Sequence, residues 1–525
     1  MSKAAEMGKL SVKGSFNMMW GLIISTVISS VGTIIVARFL LSPEEMGFYT
    51  LALAVPTLIS VFRDWGINAA MVKYTAQYNT EDNKARIRRI IRSGLIFEIV
   101  LGVALTVLSI LLSGWFADLY DQPIAELIQI ASFTILLNAF VTGATAVFTG
   151  FFRMEYNSIM LICQAVAKTA IVPALVIIGL GVGGAVLGYD LALLVAALTG
   201  LLFMWFLYRK LPNETDEETD FSRTINPMLR YGFPLSIAAI LGTFMVQFFT
   251  VLTGALKVPP DQIGNYGIAQ TFVVLIAFFA TPVTTMLFPA FSKLDPEKDH
   301  EALKNVYQFS VKYASLLVVP VAALVMALAE PGVSALFGDK YPYTPLYLAL
   351  LAITYLYTAF GGLTTGNFLN GQGQTKFSLK LTVLTVGIGV PLGFIMISLF
   401  GILGLIAATL VAGIPSMIIG LLWIKKHYAL AVDWASSAKI LFCSGIAAGA
   451  SYAIVSQLTL NSWILLVIGV FVFLPILVLS FLLTRTVTRS DLENLRGMFG
   501  SLGSLSRILN YVLGFLERLL NILKL

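Results

Sequence analysis

Apolar runs of about 20 or more residues recur along almost the whole chain, and nothing else constrains its fold as strongly. A helix needs about 20 such residues to cross a hydrocarbon core of about 30 Å. Runs of that kind fall at about 16–40, 46–70, 90–114, 124–150, 157–179 and 184–208. After a polar stretch they resume at about 229–255, 262–290, 307–329, 345–370, 377–400 and 402–424, with two more near 436–458 and 462–484. Composition agrees: 58% of the 525 residues are apolar and 12% charged, against roughly 25% charged in a soluble domain. Mean hydropathy is +0.87. The expectation is an all-α polytopic membrane protein of about fourteen transmembrane helices. The run near Phe16, preceded by Lys3, Lys9 and Lys13, is too long for a signal segment and reads as the first span.

An even number of spans puts both termini on one side, and basic residues choose the side. With the termini in the cytoplasm, only Arg38, Lys257 and Lys340 fall at outward ends or loops. The cluster Lys84, Arg86, Arg88, Arg89 and Arg92 and the pair Lys425–Lys426 fall inside. This asymmetry accounts for the net charge of +6 without nucleic acid as a partner. Cys163 and Cys443 lie in separate apolar runs and read as packing residues, and His300 and His427 show no zinc spacing, so no metal site is expected. Gly179 to Gly184 fits G-x-G-x-x-G, but no strand precedes it and it reads as a turn. The sequon at Asn213–Thr215 falls in a cytoplasmic loop. From 486 to 525, apolar residues recur at helical spacing between Arg496, Arg507, Glu517, Arg518 and Lys524. That pattern fits an amphipathic helix on the cytoplasmic lipid surface, or one packed on the protein's own cytoplasmic ends.

The chain also repeats itself. Leu41–Tyr49 (LSPEEMGFY) matches Val258–Tyr266 (VPPDQIGNY) at an offset of 217, Gly150–Arg153 matches Gly366–Leu369 at 216, and Pro173 answers Pro391 at 218. Six spans return the chain to its starting face, so the repeat is parallel, with a cleft expected between two six-helix lobes. The organisation read from this is an N-lobe at 1–210, a cytoplasmic linker at 211–228 and a C-lobe at 229–425. Two C-terminal helices follow at 426–485, then the amphipathic segment.

Charges inside spans are costly and mark function or pairing. The candidates are Arg63, Asp64, Glu98, Lys168 and Asp190, with Arg38 at the outer end of the first span, and all of these belong to the first repeat. At 1.5 Å per residue, Arg63 sits about 10 Å and Glu98 about 12 Å from the cytoplasmic face, so they are placed either to pair or to meet substrate. Lys168 lies about 16 Å deep, near the midplane, with no acid level with it. It either lines a cavity as a site for an anionic phosphate or is satisfied by carbonyls and water. Asp64 is a candidate proton or sodium site. Asp190 and Arg38, near the outer surface, are candidates for gating or pairing.

Val36–Tyr49, Arg63–Ala70 with Lys73, and Gly371–Lys376 (GQGQTK) resemble the polysaccharide-transporter (Wzx-type oligosaccharide flippase) branch of the multidrug/oligosaccharidyl-lipid/polysaccharide (MOP) exporter superfamily. The resemblance covers roughly residues 10–485. It implies two six-helix lobes plus two trailing helices, working by alternating access in a prokaryotic plasma membrane, with no cofactor beyond coupling to Na+ or H+. It further implies a polyprenyl-(di)phosphate-linked oligosaccharide as substrate, moved from the cytoplasmic to the outer leaflet, with cationic cavity residues for the phosphate; Arg63 and Lys168 fit that role by location, and Arg38 is a further candidate cavity cation. Membrane lipids and glycan-assembly enzymes are the expected partners of a monomer. An ion-coupled multidrug or metabolite exporter is the alternative. A membrane glycosyltransferase is disfavoured, because no loop presents a catalytic constellation.

Overall fold

The computed structural model describes residues 3–212 and 221–488, together with 491, 492, 496, 514 and 517. The described chain is helical throughout. Among the described residues, ten helices are long and apolar enough to cross a membrane, or eleven if the bent pair Thr344–Phe360 and Gly362–Gly371 is one span. Two of the ten, Met154–Tyr208 and Thr375–Tyr428, run 55 and 54 residues, more than twice the length one crossing needs. Each is broken at glycine. Gly179 (φ +100°) and Gly181 (φ +50°) interrupt the first, and Gly401 (φ +56°) the second. The left-handed backbone region that these turns require is open to glycine and costly for other residues. The glycine run from 179 is therefore a turn, as its surroundings imply.

The chain forms two compact units: Met1–Thr271 with Leu336–Tyr347 and Thr375–Ser416, and Phe272–Ala335 with Leu348–Gln374 and Met417–Leu525. In the first unit, α1 (Lys3–Ile35) ends in a π turn, Val36–Leu40, and is followed by α2 (Pro43–Ser60), α3 (Ile67–Thr80) and α4 (Lys84–Tyr120). Then come α5 (Ala125–Ala131), α6 (Phe133–Gly150), α7 (Met154–Leu175), α8 (Gly181–Tyr208) and α9 (Phe221–Ala255). The start of α10 (Pro260–Ser292), the segment Leu336–Tyr347 and the larger part of the helix Thr375–Tyr428 complete the unit.

Lipid supplies no hydrophobic drive between helices, so small residues allow backbones to approach and make dispersion contacts. Gly32 of α1 lies against Thr169 of α7, and the Thr169 hydroxyl donates to the Ile28 carbonyl across the seam (2.8 Å). Gly188 of α8 lies on Val172 of α7. Ile87, Ile91, Val147, Phe148, Met160 and Ala196 fill the space among α4, α6, α7 and α8.

The second unit holds the rest of α10, then α11 (His300–Ala327), α12 (Ala329–Phe337), α13 (Thr344–Leu356) and α14 (Gly362–Gly371). It also holds the end of α15 (Thr375–Tyr428), and then α16 (Trp434–Val455) and α17 (Ser462–Leu483). Alanines make the close approaches here: Ala322, Ala323, Ala352, Ala359 and Ala447 are buried with Val318, Val319 and Phe473. The chain beyond α17 is pinned by one carboxylate. Asp491 accepts from Lys312 Nζ (2.7 Å), Tyr313 OH (3.2 Å) and the Thr488 N–H (2.8 Å) and hydroxyl (2.7 Å). Most of the expected surface helix at 486–525 lies outside the described residues, as does the sequon at 213–215; within the tail, Arg496 pairs with Glu517 at 2.6 Å.

Candidate functional site

Lys168 projects from the middle of α7 into a pocket of about 100 Å³. Gly32 and Thr33 of α1, Val36 and Leu41 of the turn that follows it, Met46, Tyr49 and Thr50 of α2, Val172 of α7, Ala185 of α8, and Gly267 and Thr271 of α10 complete the lining. All lie in the first unit. The glycine seams position them: Gly32 brings α1 onto α7, and Gly188 brings α8 onto α7. The Lys168 ammonium lies 5.3 Å from the centre of the Tyr189 ring, within cation–π range. None of the lining residues is acidic. The next residue, Asp190, is 5% exposed, and its Oδ1 has no hydrogen-bond partner among the described residues. The threonine hydroxyls bond back into their own helices: Thr33 to Ser29 O, Thr50 to Met46 O and Thr271 to Gly267 O.

Beside the pocket, α2 meets α10 with backbone close against backbone at two points. A Cβ on Gly47 would stand 1.9 Å from the Pro260 carbonyl oxygen, and a Cβ on Gly264 would stand 1.9 Å from that of Pro43. Ser42 and Glu45 fix the start of α2 with reciprocal capping bonds (3.2 and 2.7 Å). The segment Leu336–Tyr347 straps the same ends. Lys340 Nζ donates to the carbonyls of Leu41 and Arg38, Tyr341 OH donates to Ala37 O (3.1 Å), and Arg38 Nη1 donates to Leu336 O (3.1 Å). These bonds satisfy carbonyls that the π turn at the end of α1 leaves open. Further along the strap, Asn265 Oδ1 accepts the N–H groups of Tyr343 and Thr344, both at 3.1 Å.

The other embedded charges lie elsewhere in the unit. Arg63 and Glu98 pair at 3.1 Å with side chains 7% and 0% exposed, and Asn68 Nδ2 donates to the second Glu98 oxygen (3.1 Å). Asp64 Oδ1 accepts the N–H groups of Gly66 (2.9 Å) and Asn68 (3.3 Å), so it caps the entry to α3. Gly66 takes φ +82° there, and its backbone touches that of Gly232. The structure therefore separates the three expected cations: Lys168 lines the pocket, Arg63 is paired, and Arg38 binds the strap. Sequence reasoning did not single out Tyr49, Tyr189 or the threonines. Tyr49 had a signal, since it closes the repeated motif and answers Tyr266; the threonines had none.

Comparison with known proteins places the fold. The chain is 24% identical over 412 residues (74% of this chain, 80% of the relative) to an uncharacterized membrane protein of Methanocaldococcus jannaschii. It is 20% identical over 260 residues (50% and 55%) to a probable low-salt glycan biosynthesis flippase of Haloferax volcanii. Among solved structures, a lipid II flippase in an inward closed conformation superimposes with a TM-score of 0.68 at 16% identity, covering 90% of this chain and 99% of that one. An inward-facing multidrug transporter of the MOP superfamily gives 0.63 at 18% identity, covering 78% and 98%. The chain thus shares its fold with these two transporters. A family model described as polysaccharide biosynthesis protein matches residues 35–345, more than half of the chain, and the protein belongs to that family.

Proposed function

We propose that the protein is an alternating-access flippase that carries a polyprenyl-(di)phosphate-linked oligosaccharide from the cytoplasmic to the outer leaflet of a plasma membrane. The observation that carries this reading is Lys168, a basic residue set well inside a long apolar helix and facing a pocket with no acidic wall. A drug exporter for cations needs the opposite sign there. Likeness to a glycan biosynthesis flippase and a lipid II flippase supports the cargo class.

The same reading takes the helices as fourteen spans. Pro43–Thr80 and Thr344–Gly371 count as one broken span each, and the two double-length elements count as two each. It keeps the two repeated six-helix lobes, with both termini cytoplasmic. Ion coupling, if present, falls to Asp190 or Asp64. Purified protein in vesicles should move a fluorescent lipid-linked sugar between leaflets, and Lys168→Ala should slow it about 100-fold, the cost of leaving a headgroup charge unmatched in the membrane. Unaltered transfer by Lys168→Ala, or ethidium efflux in place of lipid transfer, would refute the reading.

A further inference from the structure

Taking the flippase reading as its premise, we infer that the Lys168 pocket selects a lipid carrier with a single phosphate over one with a diphosphate. The argument is a charge balance. Among the described lining residues Lys168 is the one charged side chain, and the rest of the polar lining is the hydroxyls of Thr33, Tyr49, Thr50 and Thr271. A sugar joined to a lipid through one phosphodiester carries one negative charge, which Lys168 matches. A diphosphate link carries two, and the second charge needs another cation.

The other candidates are committed elsewhere. Arg63 does not line the pocket and is paired with Glu98, and Arg38 does not line it and donates to the Leu336 carbonyl. The threonine hydroxyls can turn from their own helix carbonyls to donate to phosphate oxygens, which solvates an anion without neutralising it. The cavity, at about 100 Å³, is also small, below the 300–1,000 Å³ usual for whole-ligand sites. It suits a headgroup anchor point, with sugar and lipid tail lying outside it. A charge left unmatched at this depth costs on the order of 100-fold in occupancy.

The test uses the full-length protein in vesicles with two synthetic lipids that share one polyprenyl chain and one sugar and differ only in phosphate number. The single-phosphate lipid should cross at least about 10-fold faster. Thr271→Lys, which adds a cation to the lining, should narrow or reverse the preference, and Thr271→Gln should leave it in place. Equal transfer of the two lipids, or faster transfer of the diphosphate, overturns the inference and leaves the flippase reading intact. Transfer of neither lipid by protein that is folded and monodisperse overturns both.

Discussion

Arg63 and Lys168 are both basic residues set into the helices of the first unit, yet they are handled in opposite ways. Arg63 has a carboxylate at 3.1 Å, and that carboxylate is itself held by Asn68. Lys168 has an aromatic ring at 5.3 Å and a pocket in front of it. A buried pair is internally balanced, so its value lies in fixing the α2–α3 corner against α4. A buried cation without a carboxylate is a standing cost that a bound anion relieves. On the proposed function, the difference separates a structural charge from a charge held for a ligand, and it can be broken or sharpened by experiment.

The largest effect expected is on stability at the paired site. Arg63→Ala or Glu98→Ala alone leaves its partner charged and dry, and should cost about 3–5 kcal/mol, whereas Arg63→Met with Glu98→Met should recover most of the loss. Thermal unfolding in detergent reads this, and additive losses in the double variant would contradict it. Next comes the contrast at Lys168. Lys168→Met should leave the unfolding temperature unchanged or raised while lipid transfer falls about 100-fold. A drop in stability like that of Arg63→Ala would make Lys168 structural too.

Gly47→Ala should follow, because its Cβ meets a carbonyl at 1.9 Å and the helices must part; overpacking of this kind costs about 1–3 kcal/mol. Tyr341→Phe removes one bond to Ala37 O and should cost about 1 kcal/mol; both variants are read by the same unfolding assay.

The smallest effect concerns a third handling of charge, outside the spans. Burial alone would raise the Asp491 carboxyl, but the bonds from Lys312 and Thr488 and the Lys312 charge hold it below the ordinary carboxylate value. A lowered folded pKa contributes stability above the unfolded value of about 3.9, and that contribution is lost as pH falls through the folded value. The stability gap between the wild type and Asp491→Asn should therefore shrink between about pH 7 and about pH 3. A gap independent of pH would remove the ionic part of this contact.

Helix class, membrane residence and the Arg63–Glu98 pairing were legible because each rests on spacing along the chain. Run length gives a span, and 1.5 Å per residue puts two charges at one depth. Lys168 was legible as an embedded cation for the same reason. What surrounds it was not: Thr33, Thr50 and Thr271 are ordinary back-bonded hydroxyls in the sequence, and only the glycine seams bring them to one pocket. The strap was hidden for a related reason. Lys340 and Tyr341 look like loop residues at an outward end, and nothing local says that their partners are carbonyls 299 to 304 positions away. Run length also located the break in the 54-residue element, since the two runs at 377–400 and 402–424 meet at Gly401, where the backbone leaves the helix.

The paired approach of Gly47 to Pro260 and Gly264 to Pro43 has an evolutionary reading. Residues 43 and 47 stand 217 positions before residues 260 and 264, the offset of the repeated motif. The contact therefore has the form of an isologous interface, in which each side offers what the other returns. A half-length chain assembled as a two-fold dimer would make it with one glycine and one carbonyl per copy. On the proposed repeat, joining two such copies would need no new chemistry at that seam and would leave the embedded lysine free to differ between them.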